Sequence, residues 1–171
     1  MKFTRILFLI SLFIGGAFIT QSCTNDNEEE MNPEYIADDN SFKGFESWTL
    51  EATNKGPDPA IGGAHGGNDT TVTRSIYFKN GQDPSGGSYP VGTLIAKHSK
   101  NPGGTVDVIT AMAKRGNNFN SSGGDWEWFI LNEDGSIAED NEGNPLRGAN
   151  LMGGACVSCH SVANTDFAFT K

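Results

Sequence analysis

Basic residues are the first shortage: 12 Lys and Arg stand against 21 Asp and Glu, for a formal net charge of −9 over 171 residues. A surface this acidic repels a phosphate backbone, which argues against a nucleic-acid partner. Its charge favours solubility and suits a basic partner. Cysteine is scarce too, with three in the chain. An odd, small number excludes a disulfide-rich scaffold and leaves each thiol to be explained. Long helical stretches are lacking: with 22 Gly, and each interior Gly costing about 1 kcal/mol relative to Ala, extended helices are disfavoured. No internal repeat is visible.

What is present begins at the N-terminus. Lys2 and Arg5 precede an apolar run over 6–19, and small or polar residues follow up to Cys23. The run is short for a membrane span and has the layout of a signal peptide. Ser22-Cys23 has the small-residue-then-cysteine form of a lipoprotein cleavage site, with Thr20-Gln21 a relaxed version of the usual upstream pair. Residues 1–22 therefore read as a lipoprotein-type signal and Cys23 as the lipidated residue. The alternative is an ordinary secretory signal with an unmodified cysteine. Residues 23–40 read as an acidic, Pro-containing linker, and 41–171 as one domain. The expected location is that of an exported lipoprotein of a Gram-negative-type bacterium, periplasm-facing or at the cell surface. The outer membrane is the expected site, reached through the lipid anchor only.

Within the domain, Phe42, Phe45, Trp48 and Leu50 are spaced to suit a short helix over 42–53. Residues 56–68 form a Gly- and Pro-rich loop. Period two then takes over. Val72, Arg74, Ile76 and Phe78 alternate with Thr71, Thr73, Ser75 and Tyr77, predicting a strand over 70–80. Further strands are predicted over 92–98, 105–114 and 126–132, separated by Gly86-Gly87, Gly103-Gly104 and Gly123-Gly124, with a turn at Asp134-Gly135. The expected class is mainly β: an antiparallel sheet with one or two short helices and a C-terminal haem-binding segment.

That last assignment comes from Cys156-Val157-Ser158-Cys159-His160. In Cys-x-x-Cys-His the two thiols can add to the two vinyl groups of a haem, and the adjacent histidine then faces the iron. A zinc half-site would need two further ligands at metal-binding spacing, which His65 and His98 do not supply. A thioredoxin-type dithiol would need a βαβ pattern, which is absent. The expectation is covalently attached haem c, with Cys156 and Cys159 as its anchors and His160 as the metal ligand. The cysteines are then all used. Residues 161–171 contain neither Met nor His, so a sixth ligand must come from upstream or be missing. Met112 and Met152 read as packing residues, and His65, in its Gly-rich loop, as exposed. An open distal position follows, suited to ligand binding or catalysis.

Four segments resemble the cytochrome P460 / cytochrome c′-β family: 73–80 (TRSIYFKN), 89–97 (YPVGTLIAK), 125–129 (DWEWF) and the C-terminal stretch from Cys156 to Thr170 with its DFAFT ending. The resemblance implies a mostly antiparallel β fold, often a homodimer, with five-coordinate haem and chemistry on small nitrogen species. In P460 members a lysine bonds to the porphyrin and the enzyme oxidises hydroxylamine; in c′-β members the bond is absent and an apolar, Phe-lined pocket binds nitric oxide. Lys97 matches the cross-linking lysine. By strand alternation it shares a face with Ile95 and Thr93, and burial would favour its neutral amine. A water-facing edge-strand lysine is the alternative. The resemblance also implies a proton-accepting acid three residues before the first haem cysteine, where this chain has Gly153. Arg74, inside an otherwise apolar strand face, is a candidate to hydrogen-bond a distal ligand.

Three functions remain: a P460-type hydroxylamine oxidase with Lys97 bonded to haem, a nitric-oxide-binding c′-β-like cytochrome, and an electron-transfer lipoprotein with an unrecognised ligand. Each implies a periplasmic redox partner or a small nitrogen ligand. Phe78, Met112 and Phe129 are the expected pocket residues. Trp126, Trp128 and Tyr77 are expected in the core or the pocket wall.

Overall fold

A computed structural model describes residues 33–79 and 83–169. The expected signal, Cys23 and most of the expected linker lie outside the described residues.

The sheet has six antiparallel strands in sequential order. They are β1 (Thr49–Lys55), β2 (Thr73–Phe78), β3 (Leu94–Lys100), β4 (Asp107–Lys114), β5 (Trp126–Leu131) and β6 (Arg147–Gly148). One short helix, α1 (Ala155–His160), follows. The mainly β class is as expected, and β2 to β5 lie where the alternating segments placed them. The helix expected over 42–53 does not form. A 3-10 turn over Phe45–Ser47 leads directly into β1. The helical spacing of Phe42, Phe45 and Trp48 instead serves a turn that drops Phe42 and Phe45 into the core. Glu34 bridges to Gly116 and Ala37 is buried, so the chain joins the fold ahead of residue 41.

The sheet buries both faces, each with its own apolar cluster. On the first face Leu94, Ala96, Ile109, Ala111, Ala113, Phe129 and Leu131 pack under Phe42 and Phe45. The row Ala96↔Ala111↔Phe129 explains the fit: small side chains on β3 and β4 make room for the Phe42 ring, whose centre lies 4.9 Å from that of Phe129. The second face carries Ile76, Phe78, Ile95, Met112, Trp126 and Trp128, covered in part by Leu151, Cys156, Val157 and Phe167 from the C-terminal segment. Directly opposed residues in antiparallel strands share a face. Two cross-strand rows therefore floor the second face: Phe78↔Ile95↔Met112↔Trp128 and Ile76↔Lys97↔Thr110↔Ile130.

Candidate functional site

The second face is where the sequence-predicted residues meet. A cavity of about 310 Å³ lies between it, the C-terminal segment and the loop joining β1 to β2. Lys97, Thr110, Met112, Trp128, Cys156, Cys159 and His160 all line it, as does His65. Phe129 lines it too, whereas Phe78 packs in the adjoining cluster. Trp126 is fully buried, and Tyr77 packs on the opposite face. The lining contains no Asp or Glu.

The Cys-x-x-Cys-His motif is built on α1. Cys156, Cys159 and His160 stand at i, i+3 and i+4, so they share one side of a single helical turn. The backbone entering α1 is left-handed at Met152, Gly153 and Gly154 (φ 56°, 66° and 85°). Glycine at 153 suits that conformation, and an acid there would be strained. Gly153 does not line the cavity. Met152 does, but it is 67 % exposed rather than packed. The thiols are free and half-buried, and burial pushes the Cys156 thiol up from its ordinary value.

His160 is oriented by the chain beyond it. Its Nδ1 lies 2.7 Å from the Phe167 carbonyl oxygen. A carbonyl only accepts, so Nδ1 carries the proton and Nε2 keeps its lone pair, the tautomer a metal ligand needs. The ring packs against Trp128 (centroids 4.6 Å apart) and Phe169 (5.2 Å). Burial is the main reason its pKa falls to about 4; the Phe167 bond opposes the fall, and the Lys97 charge adds to it. Phe167 is itself held in place. Asp166, beside it, pairs with Lys114 at 2.7 Å, both side chains 8 % exposed, and accepts the Tyr89 N–H at 2.7 Å. Trp126 Nε1 donates to the Asp166 carbonyl at 2.6 Å. Asp166 is thus remote from the cavity lining but anchors the tail that orients His160. Nothing in its sequence context marks that role except its place in the DFAFT ending.

Lys97 points into the cavity from β3, as strand alternation predicted. Its pKa falls to about 8, chiefly through burial and then through the Arg74 charge, with Cys159 and Asp58 pulling the other way. The ammonium still predominates at neutral pH, but the neutral amine, negligible at the ordinary value, reaches about a tenth. Arg74 is 3 % exposed; its Nη2 donates to the Gly56 carbonyl at 2.9 Å, and its Nη1 has no hydrogen-bond partner among the described residues. It stands behind the cavity wall rather than on it. His98, the neighbour of Lys97 in sequence, faces the other way, between Glu46 (3.0 Å) and Asp107 (2.7 Å).

His65 corrects the sequence reading. It is not an exposed loop residue: it lines the cavity, with its ring centre 6.4 Å from that of His160. Burial, then the Lys97, His160 and Arg74 charges, hold its pKa down at about 3. Its backbone is left-handed (φ 51°), and the loop around it packs tightly, since a side chain at Gly67 would strike the Gly62 carbonyl. These are properties of the folded loop, which local composition does not announce.

The residues suit a covalently held haem. Two reduced thiols and a correctly protonated imidazole share a helix face, and the walls are apolar and aromatic. Among the described residues, no group of three or more His, Cys, Asp or Glu could hold a metal ion without such a cofactor. No helix among them is long and apolar enough to cross a membrane. No protein-family profile, curated protein or solved structure matches the chain.

Proposed function

We propose that this chain is an exported c-type cytochrome of the P460 type, which binds hydroxylamine or a related small nitrogen species at its haem and oxidises it. The observation that carries the reading is the presence of Lys97 in one cavity with Cys156, Cys159 and His160. When bound, the haem would supply an iron that coordinates nitrogen and accepts electrons. The chain's own residues do the rest. Cys156 and Cys159 fix the macrocycle to α1, and His160 offers Nε2 because Phe167 holds Nδ1. The aromatic and aliphatic walls exclude water.

Lys97 supplies an amine inside the cavity whose neutral form burial brings within reach. Bonding Nζ to a porphyrin carbon replaces an N–H and a C–H by a C–N bond and releases two protons and two electrons. A peroxide would accept them, giving water. Arg74, behind Lys97, disfavours the ammonium form. A periplasmic redox partner takes the electrons of turnover, and the family's homodimer and lipid anchor at Cys23 belong to the same proposal.

A second reading has its own support. With no Asp or Glu in the lining, the cavity lacks a carboxylate to accept protons from hydroxylamine. That favours a c′-β-like cytochrome that captures nitric oxide without turnover. An electron-transfer lipoprotein is the third.

Peptide mapping of protein produced with a haem-attachment system separates the first two. A peptide containing Lys97 joined to the haem peptide, together with a red-shifted ferrous Soret band, is the expected result. Recovery of free Lys97 with an ordinary c-type spectrum would leave the nitric-oxide reading in its place. Protein that carries no covalent haem would sink both.

A further inference from the structure

The cavity contains a second imidazole that the proposed function does not use. His65 comes from the β1–β2 loop and His160 from α1, with ring centres 6.4 Å apart. Each has its Nδ1 engaged: His160 with the Phe167 carbonyl at 2.7 Å, and His65 with Thr110 Oγ1 on the cavity floor at 3.4 Å. Each therefore has Nε2 free of a hydrogen-bond partner among the described residues.

The separation distinguishes two roles. Metal–imidazole bonds are about 2 Å long; with the half-width of each ring added, two histidines on one metal place their centres about 6 Å apart. A histidine that only hydrogen-bonds a molecule on the metal must stand back by about 3 Å more, the length of the added hydrogen bond. The observed 6.4 Å matches direct ligation.

The loop adds an independent sign. His65 sits at φ 51° and ψ 30°, a left-handed conformation that non-glycine residues occupy at a cost and that recurs where a side chain must be aimed. Glycines flank it at 62, 63, 66 and 67. Tight packing at Gly67 fixes the loop's closure, while Gly62 and Gly63 have open space around them or ordinary contacts only. The loop can thus hold the ring in place and also release it.

We infer that His65 is an exchangeable sixth ligand, bound opposite His160 at rest and displaced when a small ligand such as nitric oxide arrives. The exchange breaks one iron–nitrogen bond to His65 and makes one to the incoming ligand, with no change in electron count on the protein. The distal position is then closed in the resting protein, in place of the open one expected from the sequence and of the five-coordinate haem that the family resemblance implies, and opens on demand. This rests on the haem reading above, and the two fail differently.

The test uses the haem-loaded protein, its His65→Ala variant and, in case the loop tolerates Ala poorly, His65→Gln. Resting wild type should show a low-spin, six-coordinate spectrum, in absorption and in ferric EPR. Both variants should become high-spin, and added imidazole should restore the low-spin signal in His65→Ala. Nitric oxide association should level off with concentration in wild type, limited by His65 departure. It should be roughly tenfold faster or more in the variants, because the competing closed state is gone. A high-spin wild type, a low-spin spectrum that survives both variants, or a low-spin wild type that never takes up nitric oxide would each overturn the inference. In all three cases the covalent haem stands. Absence of haem from the purified protein would overturn both.

Discussion

The two faces of the sheet are made from the same strands and handle charge in opposite ways. On the first face every buried charge has a partner. Glu127, 2 % exposed, receives Arg147 Nε at 2.7 Å and Nη2 at 2.9 Å. Arg147 also donates to the Ala37 carbonyl and lies over Phe129. The second face keeps a paired charge only at its rim, in Lys114–Asp166. Its centre has Lys97 in a cavity without a carboxylate, two histidines that burial holds in the neutral form, and an Arg74 with one nitrogen unpartnered among the described residues. One face is organised for stability, and the other leaves polar capacity for something that enters. Local frustration of this kind concentrates where a protein acts.

Mutations can break or sharpen this contrast. The largest effect should come from the stable face: Glu127→Ala removes the buried carboxylate that holds the part-buried Arg147 and Arg115 and should cost towards the lower end of about 3–5 kcal/mol, read by urea denaturation. Phe42→Ala, which empties the space above Ala111, belongs in the same range of about 3–5 kcal/mol. Losses under about 1 kcal/mol from both would remove the distinction between the faces.

At the rim, Asp166→Asn should cost roughly 3 kcal/mol by stranding Lys114. It should also alter the haem spectrum, because the Phe167 carbonyl that orients His160 loses its anchor. A stability loss with an unchanged spectrum would separate the clamp from the ligand.

Lys97→Met should act in the opposite direction and stabilise the haem-free protein. Burial lowers the folded pKa of Lys97 from its ordinary 10.5 to about 8. Between those values the unfolded chain binds more protons, so stability rises with pH across the window. Below pH 8 the cost of a buried ammonium is present in full, at most about 3 kcal/mol. The advantage of Lys97→Met should therefore be greatest at neutral pH and fade towards pH 10.5 in paired denaturation series. A constant difference would place Lys97 in water.

The smallest effect is expected from Thr110→Val. Losing the 3.4 Å contact to His65 Nδ1 should cost under about 1 kcal/mol, yet raise the high-spin fraction of the haem protein.

Much of this site could be read in the sequence, for reasons that vary by residue. Strand β2 declared itself by clean alternation, and β3 to β5 as short apolar runs between Gly-rich turns, while the alternating direction of side chains along β3 aimed Lys97. β1 did not, since its residues are mostly exposed or half-exposed and a bulge between Leu50 and Ala52 breaks its register. The Cys156–His160 motif is local chemistry and therefore legible. His65 and Asp166 are not local: each acts through a left-handed segment whose course depends on contacts far away in the chain. A loop histidine flanked by glycines looks solvated until the loop is folded.

The sequential strand order has a consequence for how such a protein is made. Every strand pairs with the one before it, so no pairing skips a strand, and topologies dominated by near-neighbour pairing assemble quickly. The sheet's hydrogen bonds need nothing from the segment after β6. The cysteine-bearing helix arrives last, on a surface whose floor is already laid. In sequence the sheet is complete before the α1 cysteines, an order that permits the scaffold to form ahead of any reaction at them.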